Sequence, residues 1–292
     1  MRNIGIFLLK KIILLVSILP YWVLYIFSDI LAFWGYHLRR YRRKVVNQNL
    51  KNSFPEKSDK EIKRLEKDFY LHFSDTIFEA LKSTSLSKRE QNRRVKFLNP
   101  EIFQKYYDLK RDVVLVAGHY ANWELFAFLP QHIPQVFYSI FKPLRSEFIT
   151  KLFTNIRSKN GCILLPMNDV LRPILRAKQK ASSLVMLMIA DQAPPQETPY
   201  WLDFLNQDTP LFAGVEKIGR KLKAAMIFAK VQKIKRGYYT VEFLELSENI
   251  SELPEGVPTK LHAEVLEEII KENPSAWLWS HRRWKHKREI AT

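Results

Sequence analysis

From residue 112 onward, short runs of β-branched and aliphatic residues alternate with stretches whose apolar positions recur every three to four residues. Residues 113–116, Val-Val-Leu-Val, read as a buried strand. Residues 122–129 read as a short helix stopped by Pro130, and residues 136–141 as the next strand. Phe148, Ile149, Leu152, Phe153 and Ile156 predict a helix over 146–159, with Gly161 placed to cap its end. The alternation continues with a strand at 162–165, a helix at 169–179 that Pro173 enters within its first turns, and a strand at 184–190. A helix at 211–222 precedes strands at 224–231 and 238–246 that turn around Lys235-Arg236-Gly237. Val265, Leu266, Ile269 and Ile270 mark one side of a helix over 259–272. Upstream, Ser58 and Glu61 have the spacing of a capping box, and Ile62, Leu65, Phe69, Phe73, Ile77, Ala80 and Leu81 give the helix that follows an apolar face. The pattern predicts an α/β fold in which a mixed central sheet is flanked by helices.

The N-terminus follows a different pattern. Residues 12–28 are seventeen uncharged, mostly apolar positions, and the apolar run resumes at 30–36. That length is at the short limit for spanning a hydrocarbon core, and Pro20 in its middle would kink a helix. The expectation is an N-terminal membrane helix, with residues 1–38 as an anchor and 39–292 as the remaining domain. Arg2, Lys10 and Lys11 also suit a signal peptide, but no small-residue cleavage pattern follows, so the segment reads as retained. Five of the six residues in Arg39-Arg40-Tyr41-Arg42-Arg43-Lys44 are basic. Such a cluster suits the anionic cytoplasmic leaflet, or else forms a solvated turn.

A formal net charge of +17 strengthens the expectation of negative partners: nucleic acid, anionic headgroups, phosphorylated substrates or an acidic carrier protein. The single cysteine, Cys162, excludes an internal disulfide and a Cys-rich structural zinc site.

The strongest chemical signal is Ala117-Gly118-His119-Tyr120-Ala121-Asn122-Trp123-Glu124, an H-x4-E arrangement at a strand end. On one continuous helix the two side chains would point apart, so they meet only if the chain turns between them. Asn122 is a suitable helix N-cap, which leaves His119 on the turn and Glu124 in the first helical turn. A carboxylate on one imidazole nitrogen would leave the other free to take a proton. Read from the residues alone, His119 is either that base or a satisfied histidine at a strand end. His262 and Glu267 share the spacing, but no strand feeds them, and His262 reads as a surface or helix-capping histidine.

The block around His119 and Glu124 resembles the first motif of the glycerolipid acyltransferase superfamily, and its glutamate resembles the lipid A late acyltransferase branch. The Arg-rich run with Val45-Val46-Asn47-Gln48-Asn49-Leu50 and Ser53-Phe54-Pro55 is similar to the entry segment of that branch. Asp191-Gln192, Phe204 with Thr209-Pro210, and Trp277-Leu278-Trp279-Ser280-His281-Arg282-Arg283-Trp284-Lys285 resemble its later blocks. Two positions depart from it: Ala193 stands where a second acid is common, and Asn206 where a glycine is common.

The resemblance implies a membrane-bound acyltransferase at the cytoplasmic face of the inner membrane. It would move a fatty acyl chain from an acyl carrier protein thioester to a hydroxyl of an anionic glycolipid, the lipid A precursor, with no cofactor and no metal. His119 would be the general base and Glu124 its partner, with backbone N–H groups at the start of the Asn122 helix stabilising the oxyanion. Asn122, Lys142, Arg145, Arg157 and Asp191 are the substrate-binding candidates, the basic ones as phosphate contacts. Asp191 reads equally as a helix cap. Two other readings stand beside this one: an acyltransferase for a lysophospholipid or aminolipid, and a non-catalytic basic membrane or RNA-binding protein. The apolar N-terminus argues against nucleic acid, and no G-x-S-x-G or H-E-x-x-H motif suggests a hydrolase. The basic end, residues 282–288, is expected to meet an anionic partner rather than complete the core.

Overall fold

The computed structural model describes residues 11, 13–143, 146–195 and 198–288. Nine strands occur among them: β1 (Val95–Phe97), β2 (Val113–Ala117), β3 (Val136–Phe141), β4 (Ile163–Pro166), β5 (Leu184–Ile189), β6 (Trp201–Asp203), β7 (Asp208–Pro210), β8 (Ala225–Lys235) and β9 (Tyr238–Ser247). Seven form a mixed sheet in the order β1-β9-β8-β2-β5-β3-β4, and β6 and β7 form a separate antiparallel pair. Within the large sheet only β8 and β9 pair antiparallel, as the short Lys235–Tyr238 turn requires. β2 lies between β8 and β5, parallel to both, with every residue buried. Burial on both faces is why its sequence is a continuous apolar run rather than an alternating one.

The capping box forms as the spacing predicts: the Ser58 side chain accepts from the Glu61 N–H, and the Glu61 carboxylate accepts from the Ser58 N–H. The helix it opens, Asp59–Ser83, packs between the N-terminal helix and the 3-10 helix that follows β2. Residues 43–53, which begin within the basic cluster, form a helix (Arg43–Ser53). The predicted helix after Asn122 is a 3-10 helix, Trp123–Gln131, which includes Pro130 in its last turn instead of stopping before it.

The N-terminal membrane helix does not form as expected: among the described residues no helix is long and apolar enough to cross a membrane. Pro20 takes an extended ψ of 152° and caps a new helix, Tyr21–Phe33, whose 13 residues are followed by a π-helical turn, Trp34–Leu38. Thirteen residues rise about 20 Å, short of the roughly 30 Å hydrocarbon core. One side of this helix is docked by polar bonds: Ser28 Oγ donates to Asp75 (2.8 Å), Tyr25 Oη to Glu79 (3.0 Å), and Arg236 bridges Asp29 and Asp75. The other side leaves Trp22, Ile26, Ile30 and Phe33 exposed.

The basic end also departs from expectation. Trp277, Trp279 and Arg283 are buried, and Trp284 packs against the core. Edge-to-face contacts link Trp277 to both Trp279 and Trp284. The three indoles thus bring Arg283 inside with them, while Arg288 reaches Asp208 at the surface.

Candidate active site

β2 and β5 are parallel neighbours with Ala117 opposite Ile189, so the residues just past each strand, His119 and Asp191, emerge at the same sheet edge. This is the edge at which α/β sheets carry their sites. A Cβ at Gly118 would stand 2.5 Å from Leu266 Cδ1, on the Val257–Glu272 helix lying over the strand, so any side chain there would force Leu266 to move.

The chain then turns sharply. Ala121 adopts φ +51°, a left-handed conformation that non-glycine residues hold only when their surroundings fix it. Its N–H donates to Ala276 O (2.9 Å), and its carbonyl accepts from His72 Nε2 (3.1 Å). Burial lowers the His72 pKa to about 4, so this ring is neutral and donates through Nε2–H. The Asn122 amide accepts from the Glu124 N–H (3.2 Å), as predicted for an N-cap, and also donates to buried Glu79 (2.8 Å). Glu79 takes further hydrogen bonds from Tyr25 and Tyr239, and burial raises its pKa.

Within this braced turn, His119 pairs with Asp191 and not with Glu124. The His119 Nδ1 to Asp191 Oδ1 distance is 2.6 Å, and the His119 backbone N–H donates to Asp191 Oδ2 (2.7 Å). Trp277 Nε1 donates to the same oxygen (2.8 Å). Burial alone would raise the Asp191 pKa, but His119 and these hydrogen bonds outweigh it and hold the carboxyl below its ordinary range. An acceptor at Nδ1 fixes the tautomer with the proton there, leaving Nε2 as the lone pair. Gln192 Nε2 lies 3.3 Å from it, and Trp123 meets the ring edge-on. The imidazole retains partial exposure, 19 %.

Glu124 turns to Arg157 instead: Arg157 Nε and Nη2 donate to its two oxygens at 2.9 and 2.7 Å, and Trp123 Nε1 adds a third bond. The expected His119–Glu124 hydrogen bond is therefore replaced by an ion pair holding the Glu147–Ser158 helix against the turn. Arg157, expected to contact phosphate, is thus engaged by a carboxylate. Lys142 stands exposed just beyond β3, and Arg145 lies outside the described residues. The expected oxyanion donors are also largely committed, since the N–H groups of Ala121, Glu124 and Leu125 all bond within the chain.

His262 is 4 % exposed rather than a surface or capping residue, and burial lowers its pKa to about 4. Gln192, Trp277 and His281 join the site without having been singled out individually. The Ala193 N–H donates to His281 Nε2 (3.1 Å), which ties the strand-end loop to the C-terminal segment. The available sequence signal was an acid directly after a strand that could neighbour β2.

The profile of the bacterial lipid A biosynthesis acyltransferase family matches residues 1–286. A search of curated proteins gives no match.

Proposed function

This chain belongs to the bacterial lipid A biosynthesis acyltransferase family and is an acyltransferase, and from that premise we propose that it uses His119 to move a fatty acyl chain from an acyl carrier protein thioester to a hydroxyl of a lipid A precursor at the inner membrane. The single observation that carries the mechanism is the His119 Nδ1–Asp191 bond, which presents Nε2 as the proton acceptor. The acceptor hydroxyl gives its proton to Nε2 as its oxygen attacks the thioester carbon. The C–S bond then breaks, and the imidazolium returns the proton to the departing carrier thiolate. No covalent acyl-enzyme is needed. Asp191 stabilises the imidazolium, and the Gln192 amide beside Nε2 is a nearby donor for the oxyanion. Glu124 acts indirectly, by holding Arg157 and the turn.

Carrier protein and precursor are both anionic, which suits a chain of net charge +17. The inner-membrane reading rests on the exposed Trp22, Ile26, Ile30 and Phe33, followed by the basic cluster at 39–44. In this reading a docked helix lies in the interface at the cytoplasmic face instead of crossing the bilayer. The test is transfer of a labelled acyl chain from carrier protein to a tetra-acylated precursor by purified protein, alongside mass spectrometry of lipid A from cells lacking it. Loss of one acyl chain is expected. Unchanged lipid A together with altered phospholipids or aminolipids would reassign the acceptor.

A further inference from the structure

A small enclosed cavity borders Asp191, with Phe204, Phe228 and Leu266 among its apolar walls and with His262 and Arg283 as the other polar residues lining it. Arg283 is 1 % exposed and forms no ion pair among the described residues; its Nη2 donates to Pro210 O (2.7 Å). Arg283 Nε, Arg283 Nη1 and His262 Nε2 are buried without a hydrogen-bond partner. Such atoms cost on the order of 1–3 kcal/mol each unless satisfied, and more on a charged group. The space is about 10 Å³, close to what a single water needs.

We infer that Asp191, His262 and Arg283 form a closed site for one water molecule, and that through it Arg283 and His262 are positioning residues for the His119–Asp191 pair. One water satisfies its own hydrogen bonds here and two of the three unpartnered atoms, leaving one Arg283 nitrogen over. The water accepts from Arg283 and donates to the Asp191 carboxylate and to the His262 Nε2 lone pair, available because the buried ring is neutral. His281 is the remaining histidine close enough to interact with Asp191, and its Nε2 is already taken by Ala193. The carboxylate that aims His119 is thereby held from behind as well as by Trp277, much as outer partners fix a ligating histidine.

This inference rests on the reading of His119 as base, so its test includes a measurement independent of acyl transfer: the downfield proton resonance of His119 Nδ1–H in histidine-labelled protein. His262→Leu keeps the side-chain volume but removes the water's acceptor, His262→Gln restores one, and Arg283→Lys keeps the charge but loses the fork. For His262→Leu and Arg283→Lys we expect a displaced resonance and about tenfold lower kcat, with KM within about twofold of wild type. His262→Gln should recover most of both readouts. An unmoved resonance in folded His262→Leu overturns the inference whatever the activity, as does His262→Gln behaving no better than His262→Leu. Absent transfer in the wild-type protein would defeat the proposed reaction and leave the resonance to decide the water site.

Discussion

His119 and Asp191 lie 72 residues apart in the chain, and their side chains meet at 2.6 Å. Asp191→Asn tests the pair most sharply. An amide places either a donor or a weaker acceptor opposite Nδ1 and removes the charge that stabilises the imidazolium. Single-turnover transfer should fall by about 10³–10⁴-fold with the unfolding midpoint nearly unchanged. His119→Ala should lose at least as much. Full transfer by either variant ends the proposed mechanism.

Glu124 and Arg157 should behave as a structural couple. Glu124→Leu strands a mostly buried guanidinium and is expected to cost about 3–5 kcal/mol in urea unfolding. The double variant Glu124→Leu/Arg157→Leu should regain most of that stability. If the double variant also regains transfer, Arg157 has no contact with substrate; if transfer stays low in a stable protein, it has one.

Acid should weaken the fold well before most carboxylates titrate. His72 and His262 have pKa values lowered to about 4 by burial, against about 6.5 in the unfolded chain. The unfolded state therefore binds more protons between those values. The contribution is complete above about pH 6.5 and is lost as pH falls toward 4, on the order of 2 kcal/mol per histidine by pH 5. Glu79, whose pKa burial raises, opposes part of this loss because it takes its proton earlier in the folded state. Urea midpoints at pH 7.5 and pH 5 measure the difference, and His262→Gln should shrink it by its own share.

Membrane attachment should depend on the exposed side of the Tyr21–Phe33 helix. Trp22→Glu with Phe33→Glu should abolish sedimentation with anionic vesicles, since each large apolar side chain contributes about 1.5–3 kcal/mol when buried. The docked side, with Ser28 and Tyr25, is untouched, so circular dichroism should not change. Undiminished vesicle binding by the double variant would point to residues 1–10 or to the basic cluster.

Much of the sheet was legible because β2, β3 and β5 are buried apolar runs bounded by polar turns, and the Ser58 box could be read from its own four residues. The turn after β2 was legible only in part. His119 and the Asn122 cap are local features, whereas the carboxylate partner was assigned to Glu124 because spacing along the chain is visible and strand adjacency is not. Asp191 reaches His119 through parallel pairing of β2 with β5, a contact no local periodicity encodes. Arg283 was hidden for another reason: inside a basic run it resembles its exposed neighbours, and only the stacking of Trp277, Trp279 and Trp284 carries it inward. His262 was misread because a single polar residue on an amphipathic helix does not reveal that the face it sits on is covered.

The bracing of the Ala121 turn also sets an order in time. Its N–H waits for Ala276, the Asp191 carboxylate waits for Trp277, and the loop after β5 waits for His281. A ribosome delivers all seven strands of the large sheet before any of these three residues leaves the exit tunnel. Nascent chains therefore carry a sheet whose turn after β2 is still unfastened, and a chain interrupted near residue 275 is expected to lack the contacts that hold Ala121 and Asp191 in place.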